Sequence, residues 1–255
     1  MAELALTLVD AFTDRPFAGN PAAVAVLDSP LAAAAMQAVA SELNLAETAF
    51  VVARGDGDHD LRWFTPTTEV DLCGHATLAA AHVLGGEGRF HTRSGRLDCA
   101  AVAGGWIEMT LPADPPAARP LPEGIGLPRV EWAGAGRFDA VAVLQDAAAV
   151  RDLVPDLAGL ASVGTRSVVV TAPGDRQGVD MVSRVFGPNV GIPEDPVTGS
   201  AHCMLAELWG ERFGRSELVG EQASARGGTV RMRRAGAHVV VSGQAVTVGR
   251  TVLRW

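Results

Sequence analysis

The chain has 255 residues, 48% hydrophobic and 20% charged, which supplies cores for two modest domains or one large one. Its formal net charge of −8 argues against a nucleic-acid or anionic-membrane surface, since no basic face offsets it. Three cysteines (Cys73, Cys99 and Cys203) cannot all pair and form no CxxC, which fits a reducing, cytoplasmic setting, and no segment approaches the ~20 apolar residues of a membrane span.

The opening MAELALTLVDAF carries Glu3 and no basic run, so it is not expected to be a signal peptide. LALTLVDAF and AAVAVL are predicted strands, separated by the turn-rich TDRPFAGNP. Ser29 and Pro30 then form a helix-start signature, an N-cap hydroxyl followed by proline at N1. The helix LAAAAMQAVASEL should end near Asn44. AETAFVVA and HDLRWFTP are strands joined by the hairpin-like RGDGD. A helix runs from Gly74 to about Leu84 and closes at GGEG, whose glycines suit a left-handed cap. Strands within FHTRSGRLDCAAVAGGWIEMTLP complete the first half.

PADPPAARPLPEGIGLP packs prolines and glycines into a stretch expected to hold no regular structure, as at a domain boundary. Beyond it the same order returns. FDAVAVLQD echoes NPAAVAVLD, DLAGLASVGTRSVVVTA echoes ELNLAETAFVVA, and SRVFGP echoes LRWFTP. A second small-residue helix, Gly199 to about Trp209, follows. A helix apolar all round must be enclosed, and a curved sheet around it is the natural enclosure. Arg231, Arg233 and Arg234 form the densest basic stretch and read as the wet face of a strand. The terminal AVTVGRTVLRW is one more strand, expected to return to the first domain. The domains are therefore 1–112 with about 247–255, and 113–246.

Chemistry concentrates where the two helices begin, in DLCGHATLAAAHVL and EDPVTGSAHCMLAELWG. Gly74 with His75, and Gly199 with Ser200, let first-turn backbone N–H groups approach a ligand, and donors of that kind suit a small carboxylate. The alternative is two tight helix starts, with Asp195 or Thr198 as N-cap and Pro196 at N1. A lone His75 is as compatible with a structural role, and Cys73, Cys99 and Cys203 with small buried apolar groups. His202 and Cys203 are adjacent but have no further ligands at zinc-like spacing, so no metal site is expected. GGEG is not a dinucleotide fingerprint, and no P-loop or GxSxG occurs. Glu47 sits among apolar neighbours in LNLAETAFVV. It is either a solvated strand-end residue or an acid/base group in a dry cleft, where desolvation favours proton transfer near neutrality.

VDAFTDRPFAGNPAAV, LNLAETAFV, LRWFTPTTEVDLCGHAT and GIPEDPVTGSAH occur in that order, and with them the chain resembles the phenazine-biosynthesis PhzF-like isomerases, relatives of diaminopimelate epimerase. The resemblance implies an α/β (α+β), diaminopimelate epimerase-like fold. It would have two pseudo-symmetric domains, each a barrel-like, mostly antiparallel sheet around a central helix, their helix starts facing a shared cleft. It also implies a cytoplasmic, usually dimeric enzyme without metal or organic cofactor, acting on a small-molecule carboxylate, with no nucleic-acid or membrane partner. Glu47 takes the proton-transferring position, and His75, Asp195 and Ser200 match the family's active-site residues. Asn20, Cys73, Gly74, Thr198 and Gly199 fall in its substrate-cradling motifs. Ala46 stands where the family often has serine, and EQASARGGT keeps Glu221, Gln222 and Gly227 without the family's arginine or proline. In the epimerase relatives two cysteines work on opposite faces of one carbon. Here Thr198 stands opposite Cys73, and a threonine hydroxyl is too weak an acid and base for that partnership. The expected reaction is a proton shift by the single Glu47. An amino-acid epimerase or racemase, and a non-catalytic small-molecule-binding protein on the same scaffold, are the alternatives.

Overall fold

In the computed structural model, which describes residues 3–255, apolar side chains alternate inward along the first strand, β1 (Glu3–Ala11), where Leu4 and Leu6 are buried between exposed neighbours. Met1 and Ala2 lie outside the described residues. The chain turns back through Gly19 into β2 (Asn20–Leu27), antiparallel to β1. Gly19 has φ +64°, and a Cβ there would meet the Ala11 carbonyl oxygen at 2.1 Å, so only glycine fits this turn.

The first helix, α1 (Ala33–Leu43), starts later than Ser29 and Pro30 predict. Its N-cap is Ala32, which makes no side-chain cap, and the Ala32 carbonyl accepts the Ala35 and Met36 N–H groups at 3.0 and 3.1 Å. Leu31 packs against the adjoining core before the turn forms, and the following alanine run has enough helix propensity to begin without a hydroxyl cap. The end is as expected: Asn44 is left-handed at φ +50°.

β3 (Glu47–Ala53) lies parallel to β2, and β4 (His59–Phe64) antiparallel to β3. β5 (Glu69–Val70) pairs with β4 and leads into α2 (Gly74–Val83). β6 (Gly88–Thr92) is parallel to β4, and β7 (Gly95–Val102) and β8 (Trp106–Pro112) follow antiparallel. Residues Gly74 through Ala81 of α2 are all buried, against β1, β2, β3 and β7. On the α1 side, Phe50 and Phe64 meet edge to face at 5.6 Å within a core of Leu4, Leu6, Met36 and Val39.

The second unit repeats this plan. β9 (Ala117–Ala118) is a short strand inside the proline-rich stretch expected to be irregular, and it pairs with β10 (Val130–Ala135). β11 (Asp139–Leu144) is followed by α3 (Ala147–Arg151) and α4 (Leu157–Ala161), two short helices the sequence reading missed. Their signal was the caps: Asp146 accepts the Ala149 N–H and Asp156 the Gly159 N–H. Then come β12 (Ser167–Pro173), β13 (Met181–Gly187), β14 (Ile192–Asp195) and α5 (Gly199–Phe213). β15 (Glu217–Gln222), β16 (Gly228–Ala235), β17 (His238–Gly243) and β18 (Ala245–Arg254) complete the chain.

The duplication is explicit in the pairings. In the first unit β1–β2 is antiparallel, β2–β3 parallel, β3–β4 antiparallel, β4–β6 parallel and β6–β7 antiparallel. β10–β11, β11–β12, β12–β13, β13–β15 and β15–β16 repeat that series in the same order. α5 is buried from Ala201 to Ala206 and runs past the expected Trp209 to Phe213, where an exposed last turn is closed by left-handed Gly214. β18 pairs antiparallel with β1 from Arg254 opposite Glu3 to Ala245 opposite Ala11. The chain thus divides into one unit ending at Thr110 and completed by Ser242–Trp255, and another of Leu111–Val241. On β16, Arg231 and Arg233 are exposed, while Arg234 pairs with Glu207 of α5 at 2.8 Å. Among the described residues no helix is long and apolar enough to cross a membrane.

Candidate active site

Register decides where Glu47 points. As the first residue of β3 it stands opposite Ala22 of β2, 8% exposed, beside the start of α2. His75, the second residue of α2, is 5% exposed, and its Nε2 lies 3.0 Å from Glu47 Oε2. The contact has ion-pair reach without hydrogen-bond alignment, since His75 Nε2 has no hydrogen-bond partner. Nδ1 faces the Asn20 amide nitrogen at 3.2 Å and the Cys73 sulfur at 3.6 Å. In the neutral ring, with the Asn20 amide donating to Nδ1, the proton sits on Nε2, toward the carboxylate.

Burial disfavours the imidazolium, but Cys73 and Glu47 beside the ring outweigh it, so His75 stands well above its ordinary pKa. Burial, helped by the Glu47 charge, raises the Cys73 thiol. Cys73 occupies the N-cap position of α2 without capping it. Its carbonyl accepts the Thr77 hydroxyl at 2.6 Å, and the first-turn N–H groups of Gly74 and His75 have no side-chain cap.

The corresponding turn of the second unit is built differently. Thr198 has N-cap geometry, but its hydroxyl donates to the Asp195 carboxylate at 2.5 Å and caps nothing. Neither Asp195 as cap nor Pro196 at N1 is realised, because α5 begins at Gly199. Gln222, fully buried, accepts the Thr198 N–H at 2.8 Å and donates to the Asp195 carbonyl at 2.6 Å. His202, also fully buried, donates from Nδ1 to the Thr198 carbonyl, and burial pulls its pKa down to about 4. Two buried side chains therefore fix the 195–199 loop from below.

Ser200, the second residue of α5, accepts from Arg166 Nη2 at 3.0 Å. Arg166 is itself clamped by both carboxylate oxygens of Asp139, and Ser167 donates to the same carboxylate at 2.6 Å. The repeated AVAVL places Asp139 where the first unit has Ala22, and Asp139 pairs with Ser167 as Ala22 pairs with Glu47. Ser167 therefore stands at the Glu47 position of the second unit, and no carboxylate occurs there.

The structure thus gathers Asn20, Glu47, Cys73, Gly74 and His75 in the first unit, and Asp195, Thr198, Gly199 and Ser200 in the second. Sequence reading missed Arg166, Asp139 and His202 as supports, and singled out Gln222 without giving it a role. Only Asp139 had a local signal, its place directly before the repeated AVAVL. The sequence also showed no metal-ligand spacing, yet Glu47, Cys73 and His75 bring an oxygen, a sulfur and a nitrogen within 4.8 Å of one another.

A family model described as phenazine biosynthesis-like protein, PhzC-PhzF, matches residues 9–119 and 125–251. An uncharacterized isomerase of Pseudomonas aeruginosa is 48% identical over 252 residues, 95% of this chain and 96% of its own. The crystal structure of a phenazine biosynthesis protein of the PhzF family from Enterococcus faecalis superposes over 100% of both chains, with a TM-score of 0.94 and 38% identity. A hydroxyproline epimerase from Agrobacterium vitis shares the fold, with a TM-score of 0.64 at 11% identity over 98% of this chain and 92% of its own.

Proposed function

The chain belongs to the phenazine biosynthesis-like PhzC-PhzF family and is an isomerase, and we propose that it shifts a proton within a small cyclic or amino-acid-derived carboxylate, with Glu47 as the single acid/base group. The observation that carries this reading is the buried Glu47–His75 contact, together with Ser167 at the equivalent position of the other unit. The carboxylate is nearly enclosed, and the imidazole whose Nε2 lies 3.0 Å away orients it for proton transfer.

In this mechanism Glu47 takes a proton from one carbon, and the electron pair left behind moves into the neighbouring π system. Glu47 returns the same proton at the far end of that system, so the double bond moves and no atom is gained or lost. Uncapped first-turn N–H groups at Gly74 and His75 bind the substrate carboxylate. In the second unit the Thr198 hydroxyl holds the Asp195 carboxylate and Arg166 holds Ser200. Because Arg166 occupies the Ser200 oxygen as a donor, the Ser200 hydroxyl is left to donate outward.

An epimerase using Cys73 as a second base is the competing reading, favoured by the 3.6 Å approach of the thiol to His75. The raised thiol speaks against it. We further infer a homodimer, as the family resemblance implies, acting on a free small molecule in the cytoplasm, as the three unpaired cysteines suggest; sedimentation analysis of the purified protein tests the dimer. The decisive experiment on mechanism is turnover of Glu47→Gln on an identified substrate.

A further inference from the structure

We propose that Glu47, Cys73 and His75 also form a capture site for one thiophilic divalent cation, Zn²⁺ above all, which silences the acid/base pair when it binds. The inhibitory consequence rests on the acid/base reading of the site; the binding does not.

Donor chemistry and spacing support the site. A carboxylate oxygen, a thiol sulfur and an imidazole nitrogen lie within 4.8 Å of one another, all on buried residues. Zn–S and Zn–N bonds of about 2.3 and 2.0 Å at a tetrahedral angle put sulfur and nitrogen roughly 3.6 Å apart. Cys73 Sγ and His75 Nδ1 are 3.6 Å apart. The pair already stands at the edge length of a zinc tetrahedron, with an oxygen donor in reach.

Selectivity follows from the same donors. Sulfur with imidazole suits Zn²⁺ and Co²⁺, whereas Mg²⁺ and Ca²⁺ require a cage of oxygens. Glu47 now faces Nε2, so it must swing across the ring edge to join an ion held by Cys73 and Nδ1. Binding releases the thiol proton to solvent and leaves the carboxylate oxygen and the imidazole nitrogen occupied by metal. Both groups are then lost to proton transfer. In the second unit the equivalent positions carry Thr198 and Ser200, which give no soft donor, so the stoichiometry is one ion per chain.

Co²⁺ titration of the chelator-treated full chain tests this without any substrate. The expected result is a thiolate-to-cobalt charge-transfer band and tetrahedral visible bands that saturate at one equivalent. Zn²⁺ displaces them and Mg²⁺ does not. Cys73→Ala should abolish the charge-transfer band and weaken binding by ~10²-fold or more, and Glu47→Gln should weaken it by at least ~10-fold. Cys203→Ala should change nothing, since that thiol is not one of the three donors. No saturable Co²⁺ binding, or a thiolate band that survives Cys73→Ala, overturns the proposal. If Cys73→Ala does not fold, Glu47→Gln decides, because unchanged affinity in that variant overturns it as well. Normal turnover of Glu47→Gln with Co²⁺ binding intact in the parent would count against the acid/base reading alone.

Discussion

Glu47 Oε2 lies 3.0 Å from His75 Nε2, although one is the first residue of a strand and the other lies in the first turn of a helix. The parallel pairing of β3 with β2 sets the height of Glu47, and the turn of Asp71 to Cys73 sets the start of α2. A carboxylate and an imidazole that are 8% and 5% exposed have little water between them and the reacting atoms. Their mutual position is therefore the first thing to perturb.

Glu47→Gln keeps the shape of the side chain and removes its proton-transfer capacity, so turnover should fall by ~10² or more. Stability should change by only about 1 kcal/mol, because His75 can remain neutral once its anion is gone. Steady-state kinetics and urea unfolding of the variant check both numbers. Near-normal turnover would make Glu47 a structural strand-end residue.

A reaction run in D₂O separates a proton shift from an inversion. Return of one proton by one carboxylate predicts a regioisomer with less than full deuterium at the new carbon, and Cys73→Ala should retain substantial activity. A stereoisomer fully labelled at the original carbon, with activity lost in Cys73→Ala, would establish two-base epimerisation instead. Mass spectrometry and NMR of the product read the difference.

Arg166 and Asp139 form a largely buried pair in the second unit, with Asp139 only 3% exposed at its side chain. Arg166→Met strands that carboxylate and should cost about 3 kcal/mol, at the low end for such a break because the guanidinium keeps some solvent access. The double variant Arg166→Met with Asp139→Leu should recover most of the loss. Chemical denaturation of the three proteins tests this, and equal destabilisation of single and double variants would show that the charge is not the cause.

His202 gives a pH dependence with a definite sign. Burial lowers its pKa from 6.5 to about 4, so the unfolded chain binds a proton there that the folded chain refuses. The stabilisation is complete above pH 6.5 and is lost as pH falls toward 4. The shift amounts to about 3 kcal/mol over that window. His202→Gln should flatten this part of the curve in urea unfolding measured from pH 7 to pH 4; an unchanged slope would assign it to other groups.

Local pattern and internal repetition carried much of this protein in its sequence. The small, apolar runs after Gly74 and Gly199 could only be enclosed helices, and Asn44 ended α1 because asparagine tolerates the left-handed conformation. The repeated strand order gave the two-unit plan, and four motifs in order gave the family. Ala32 shows the limit of such reading: a hydroxyl and a proline at Ser29 and Pro30 signal a helix start, but packing of Leu31 delayed it. Tertiary structure alone decided that Glu47 meets His75, that Ser167 holds the matching place beside an Asp139–Arg166 clamp, and that the Thr198 hydroxyl goes to Asp195 and not to its helix. Each of those contacts depends on strand register and on which buried polar group finds a partner, and neither is a property of any short stretch of chain.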